Sequence, residues 1–142
     1  MMARDRVLRE ARSWLATPYH HQGCIKGIGV DCAMLLIAVY RACGLIPAID
    51  PRPYSPEWML HRDEEKFLGW LDQYGAPVEV PRPGDVLVWR FGRTYSHGAI
   101  LLDEDGTILH AYQPAGCVTI GNRADSELAR RPVKTYCVQG LE

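Results

Sequence analysis

Apolar positions recur at helical spacing in the first half of this chain and gather into short β-branched and aromatic runs in the second. Val7, Leu8, Ala11, Trp14 and Leu15 stand at helical spacing between charges, which predicts an amphipathic helix ended before Thr17-Pro18. Residues 17–30, with Pro18, Gly23, Gly27 and Gly29, read as a loop, and Asp31 stands where an N-cap would. The segment that follows, CAMLLIAVY, carries no charge before Arg41, so a helix starting at or just after Cys32 is apolar on every side and belongs in the core. Gly44 and Pro47 end it. A proline-rich link, PAIDPRPYSPEW, leads to Ser55-Pro56 as N-cap and first residue of a third, more polar helix that runs to about Tyr74 and stops at Gly75. Five short runs rich in β-branched and aromatic residues follow: DVLVWRF, GAILLD, TILHAY, GCVTI and VKTYCV, separated by turn residues such as Glu104-Asp105-Gly106. Helices first and strands afterwards predict an α+β domain in which N-terminal helices pack on an antiparallel sheet of five to six strands.

Length and charge narrow the classes. The 142 residues suit one domain, 1–142, with no repeat, low-complexity tract or composition shift to divide it. With 16 basic and 17 acidic residues, and arginines scattered rather than clustered, nothing favours nucleic acid as a partner. No run reaches the roughly 18 apolar residues of a membrane span, and the charged start MMARDRVLREARSW has no apolar core of a secretory signal, so synthesis in a cytoplasm is expected. The five cysteines, at 24, 32, 43, 117 and 137, are odd in number and lack CxxC spacing, so a disulfide framework is not expected.

Cys32 is the residue with chemical promise. The first turn of a helix offers unpaired N–H groups and a positive dipole end, both of which favour a thiolate. A buried, inert cysteine is the commoner outcome beside Ala-Met-Leu-Leu, but two histidines supply what a nucleophile needs. His97 opens GAILLD after a Tyr95-Ser96 turn, and His110 lies in TILHAY, the next strand of a tight hairpin. Cross-strand neighbours lie about 4.5–5.5 Å apart, so the imidazoles can meet, His97 as general base and His110 as the group that orients it.

These residues carry a resemblance. TPYHHQGCIKGIGVDCAMLL, RPGDVLVWR and SHGAILLDEDGTILHAY are similar, in that order, to the Tyr/Asp-Cys, Pro-Gly-Asp and His-Gly/His-Ala segments of the NlpC/P60 cysteine peptidases. PRPYSPEW and ARRPVKTYCV further resemble the phage-type cell wall peptidases encoded among the tail genes of phages and gene transfer agents. The resemblance implies a papain-like α+β domain without cofactor that cleaves stem peptides of peptidoglycan, between a D-γ-glutamyl residue and a diamino acid. Carried over by motif, Cys32 is the nucleophile, His97 the base and His110 the polar third residue. Tyr19 would help the oxyanion or bind substrate, together with the Cys32 backbone N–H. Asp31 is first a helix cap and second a contact for a substrate amine, and His20 would line the cleft. The branch implies tail-tip or baseplate proteins as partners and delivery in a virion-like tail to the periplasm or wall.

Departures remain. Ala33-Met34 replace the family's Ser-Gly after Asp-Cys, and His20-His21-Gln22-Gly23 replace an aromatic with Gly-Gly. His20, His21, Cys24 and Cys32 include zinc-competent ligands but lack a zinc spacing, so no metal is expected. Cys43, Cys117 and Cys137 read as structural, as do Gly84 and Asp85, while Trp58, Phe67, Trp70 and Leu71 read as core. Competing functions are an inactive adaptor of the same fold in a tail tip and a Cys-His amidase or acyltransferase.

Overall fold

The computed structural model describes residues 2–52 and 66–142. Helix α1 (Ala3–Arg12) is followed by a small hairpin of β1 (Cys24–Ile25) and β2 (Gly29–Val30), then by α2 (Cys32–Ala42) and α3 (Lys66–Tyr74). The sheet strands are β3 (Gly75–Pro77), β4 (Val86–Phe91), β5 (Thr94–Leu101), β6 (Thr107–Tyr112), β7 (Cys117–Asn122) and β8 (Val133–Val138), with a short α4 (Ser126–Ala129) between the last two. All six pair antiparallel in the order β3-β8-β4-β5-β6-β7. The predicted α+β class and antiparallel sheet are therefore observed. The Ser55-Pro56 start of the third helix and Trp58 lie outside the described residues.

Both faces of the central strands are covered, which explains why VLVW of β4 and GAIL of β5 read as continuous apolar runs rather than alternating ones. On one face Val86, Val88, Ile100 and Leu109 pack with Val7 and Ala11 of α1 and with Leu35, Leu36 and Val39 of α2. On the other, Leu87, Trp89, Ala99, Leu101 and Ile108 are closed over by Leu128 of α4. Leu35 is fully buried. Truncating it to alanine removes apolar contact and leaves a cavity, at a cost of about 2–5 kcal/mol.

Three local expectations are corrected. Helix α1 ends at Arg12, and Ser13 folds back to give its hydroxyl to the Glu10 carbonyl at 2.5 Å. The chain then reaches Ala16 with φ +69°, which takes Leu15 off the apolar stripe and leaves it 39% exposed. The turn before His97 is at Gly92-Arg93, where Gly92 has φ +68°, and not at Tyr95-Ser96. Tyr95 and Ser96 lie inside β5 because Thr94 and Ser96 are buried there. Lastly, the loop over 17–30 is organised: its hairpin is tied by Tyr19 N–H to the Gly116 carbonyl at 2.8 Å and by His20 N–H to the Val30 carbonyl at 3.0 Å.

The Pro-Gly-Asp segment does structural work. Asp85, 1% exposed, accepts from the Arg82 N–H at 2.7 Å and from the Arg4 guanidinium of α1 at 3.0 Å, while the Tyr40 hydroxyl of α2 donates to the Gly84 carbonyl at 2.7 Å. Both N-terminal helices are thereby fastened to the start of β4.

Candidate active site

Asp31 fixes where α2 begins. Its two carboxylate oxygens accept from Met34 N–H at 2.9 Å and Gln22 N–H at 2.8 Å, so one side chain caps the helix and anchors the preceding loop. It is 2% exposed. The helix start places Cys32, half-buried, against β5, where its thiol donates to the Ser96 carbonyl at 3.4 Å. Close approach of α2 to β5 depends on Gly98: a Cβ there would stand 2.7 Å from the Leu36 side chain and 2.8 Å from Phe67.

A β-bulge aims the rest. Trp89 pairs with His97 and Arg90 with Tyr95, so Ser96 is an extra residue on β5, and bulges re-aim neighbouring groups. Here the bulge residue supplies the carbonyl that meets the thiol. The histidines come together as the sequence predicts, but diagonally. The β5–β6 ladder pairs Ile100 with Leu109 and Leu101 with Ile108, a register that sets His97 opposite Tyr112 rather than His110. The side chains bridge this offset, with His97 Nε2 2.8 Å from His110 Nδ1.

Aromatic residues that sequence reasoning did not single out hold the pair. Trp89, Phe91 and Tyr112 have ring centroids 5.8, 5.6 and 5.6 Å from that of His97, and Tyr112 stacks on His110 at 4.6 Å. Their signal was present in the strand alternation, since positions 89, 91, 110 and 112 share parity on their strands. A cleft of about 450 Å³ opens beside them, lined by Tyr19, His21, Asp31, Cys32, His97 and Tyr112 among others. His20 does not line it. That side chain is exposed, with Nδ1 3.0 Å from the His21 carbonyl, and His21 takes the place beside the cleft. Glu127 also reaches the cleft, held by Arg131 at 2.5 Å, and Arg131 in turn lies 3.7 Å over the Phe91 ring. Among the described residues no cluster of three or more His, Cys, Asp or Glu could hold a metal ion.

Protonation departs from the expectation of an acidic Cys32. Burial first and the Asp31 carboxylate second push the thiol up to about 12. The N–H of Gly98 on β5 acts in the opposite direction, as do those of Ala33 and Cys32 at the helix start, but they are outweighed. Burial, then the charges of His110 and Arg131, holds His97 down to about 3. His110 is held down to about 4 by burial, partly offset by Asp125. At rest the site is thus a neutral thiol beside neutral imidazoles. Tyr19 is raised well above the ordinary phenol range by burial, Cys32 and Asp31, so its hydroxyl keeps a proton to donate.

This arrangement provides a thiol, an imidazole with one ring nitrogen engaged and the other available, and donors near the thiol. It suits nucleophilic attack on a carbonyl with proton transfer to imidazole. No curated protein matches the chain. Among solved structures it is similar to the NlpC/p60 domain of the peptidoglycan hydrolase SagA, at 21% identity over 92% of this chain and 96% of that one, TM-score 0.59. It is similar to NlpC1 from Trichomonas vaginalis at 16% identity and TM-score 0.68, covering 94% of this chain but 42% of that one. The peptidoglycan hydrolase RipB from Mycobacterium tuberculosis shares 22% identity at TM-score 0.60, with 99% of this chain and 65% of that one covered. Beyond SagA, then, the chain spans less than two thirds of these proteins. At such identities the structures bear on the fold alone, but the profile of the NlpC/P60 family matches residues 16–135, taking in Cys32, His97 and His110, and the chain belongs to that family.

Proposed function

We propose that this chain is a thiol-dependent endopeptidase of peptidoglycan that cleaves stem peptides between a D-γ-glutamyl residue and a diamino acid. The observation that carries the reading is the convergence of Cys32, at the start of a buried helix, and His97 on one cleft, with the buried His110 hydrogen-bonded to His97. The Cys32 sulfur attacks the carbonyl as its proton passes to His97, and the neutral resting pair makes proton loss part of the attack rather than a prior step. Oxyanion charge then falls beside the Cys32 N–H and the Tyr19 hydroxyl. His97 returns the proton to the leaving amine, and water resolves the thioester. Two of the similar structures are of peptidoglycan hydrolases, which supports the choice of substrate.

We propose as well that the enzyme works from a phage-like or gene-transfer-agent tail, docked to tail-tip or baseplate proteins and acting in the periplasm or wall. PRPYSPEW and ARRPVKTYCV support this branch. The test of the activity is incubation with purified peptidoglycan and mass spectrometry of the soluble fragments. New diamino-acid N-termini released by the wild type and absent with Cys32→Ala are expected, and release of the same termini by the variant would sink the assignment.

A further inference from the structure

One charged group beside the histidine pair has no part in the steps above. Asp125 lies in the turn between β7 and α4, where its Oδ2 accepts from the Asn122 N–H at 2.9 Å, and Leu128, three residues on, is buried in the second core and anchors the turn. A Cβ built on Gly121 would stand 3.1 Å from Asp125 Oδ2 and 3.2 Å from His110 Nε2. Carboxylate oxygen and imidazole nitrogen therefore both crowd the point that a side chain at Gly121 would occupy, and the glycine leaves that point empty.

We propose that Asp125 is a positioning residue whose carboxylate, facing the outer nitrogen of His110 across Gly121, keeps the proton of that ring on Nε2. The proposal rests on the peptidase reading for its consequence but not for its test. The bond between His97 Nε2 and His110 Nδ1, at 2.8 Å, holds one proton and has two possible directions. With His110 protonated on Nε2, its Nδ1 accepts, His97 carries its proton on Nε2, and His97 Nδ1 is a bare base for the proton of Cys32. With the opposite tautomers His97 Nδ1 is already protonated, and the site has no base. A negative charge near His110 Nε2 selects the first arrangement. It also faces the positive charge that the two rings share once the Cys32 proton has arrived. The other groups around His110 are His97 on β5, with Arg131 acting on His97, and Tyr112 stacked from β6. None of these supplies a negative charge. Because Asp125 is exposed, its influence is moderate and falls as salt rises.

The test uses the intact chain and long-range proton–nitrogen NMR of the imidazole side chains at pH 7, beside peptidoglycan kinetics. The wild type is expected to show His110 protonated on Nε2 and bare at Nδ1. Asp125→Asn, which keeps an acceptor for the Asn122 N–H while losing the charge, is expected to shift the His110 nitrogens, lower the pH midpoint of His110 and reduce kcat about fivefold at unchanged KM. Asp125→Glu is expected to restore most of each effect. Gly121→Ala, whose methyl crowds both partners, should repeat the loss. A wild-type His110 protonated on Nδ1, unchanged His110 resonances in Asp125→Asn, or an unchanged kcat in that variant of an active enzyme would each overturn the proposal. The tautomer is read without substrate, so a chain that cleaves no peptidoglycan yet shows the expected nitrogens refutes the peptidase reading and leaves this one standing.

Discussion

Two polar clusters join a helix to the sheet, near opposite ends of the β4–β5 hairpin, and each contains a cysteine. At one end Arg4, Tyr40, Asp85 and Cys137 interlock: the guanidinium bonds the Pro83 carbonyl at 2.8 Å and the Asp85 carboxylate at 3.0 Å, and lies 3.5 Å from the Cys137 sulfur. Among the described residues only Arg4 Nε there is buried without a partner. At the other end Cys32 has one weak bond through its thiol, and His97 spends one ring nitrogen on His110. The first cluster faces the core and the second faces a cleft. Arg4 Nε apart, the first cluster turns its polar groups on one another and holds a structure, whereas hydrogen-bonding capacity left open beside a space for substrate is what chemistry requires. A cysteine, or a buried charge, is informative only through what surrounds it.

The largest effects should separate these clusters. Cys32→Ala is expected to lower peptidoglycan cleavage by about 10⁴-fold or more with an unchanged thermal transition. Asp85→Ala should do the reverse, costing about 3–5 kcal/mol in denaturant unfolding because Arg4 is left without its carboxylate, with kcat of the folded fraction unchanged. If Asp85→Ala lowers kcat while stability holds, the division into structural and reactive clusters fails. Tyr19→Phe, which deletes a protonated hydroxyl beside Cys32, should reduce kcat by about 10²-fold and leave KM nearly constant. An equal rise in KM would show that Tyr19 binds substrate and does not serve the oxyanion.

Acid should weaken the histidine end in particular. His97 and His110 titrate near 3 and 4 when folded, against 6.5 as the ordinary value, so the unfolded chain binds more protons between these limits. Their contribution to stability is complete above about pH 6.5 and is lost as pH falls toward 3. Melting temperatures measured from pH 7 to pH 4 should therefore fall less steeply for His97→Phe than for the wild type, and parallel curves would contradict the neutral pair. The smallest effect concerns Asp31, the second cause of the raised Cys32 thiol. Asp31→Asn keeps a cap oxygen but drops the charge, so iodoacetamide should modify Cys32 a few-fold faster at pH 8, as followed by peptide mapping. A slower reaction would mean that the lost cap matters more than the lost charge.

Much of this was legible in the residues themselves. Asp31 as cap and Cys32 as first helical residue follow from an oxygen-bearing side chain placed ahead of an uncharged run, a signal local to a few residues. The strands VKTYCV and TILHAY coincide with β8 and β6 for the same reason, since β-branched and aromatic residues between turns need little context. The hairpin that brings His97 to His110 was likewise local, because Glu104-Asp105-Gly106 closes it within a few residues.

What only the tertiary structure decided is non-local. Strand β8, last in the chain, enters between β3 and β4, so its partners come from segments distant in sequence. The bulge at Ser96 depends on the partner strand, and it decides which carbonyl meets the thiol. Neighbours distant in sequence also determine which loop histidine reaches the cleft and which aromatics enclose His97. The protonation of Cys32 shows the division most sharply. The sequence by itself determined the helix start that favours a thiolate, but the density of protein packed around the sulfur, which no local pattern encodes, makes the neutral thiol the resting form.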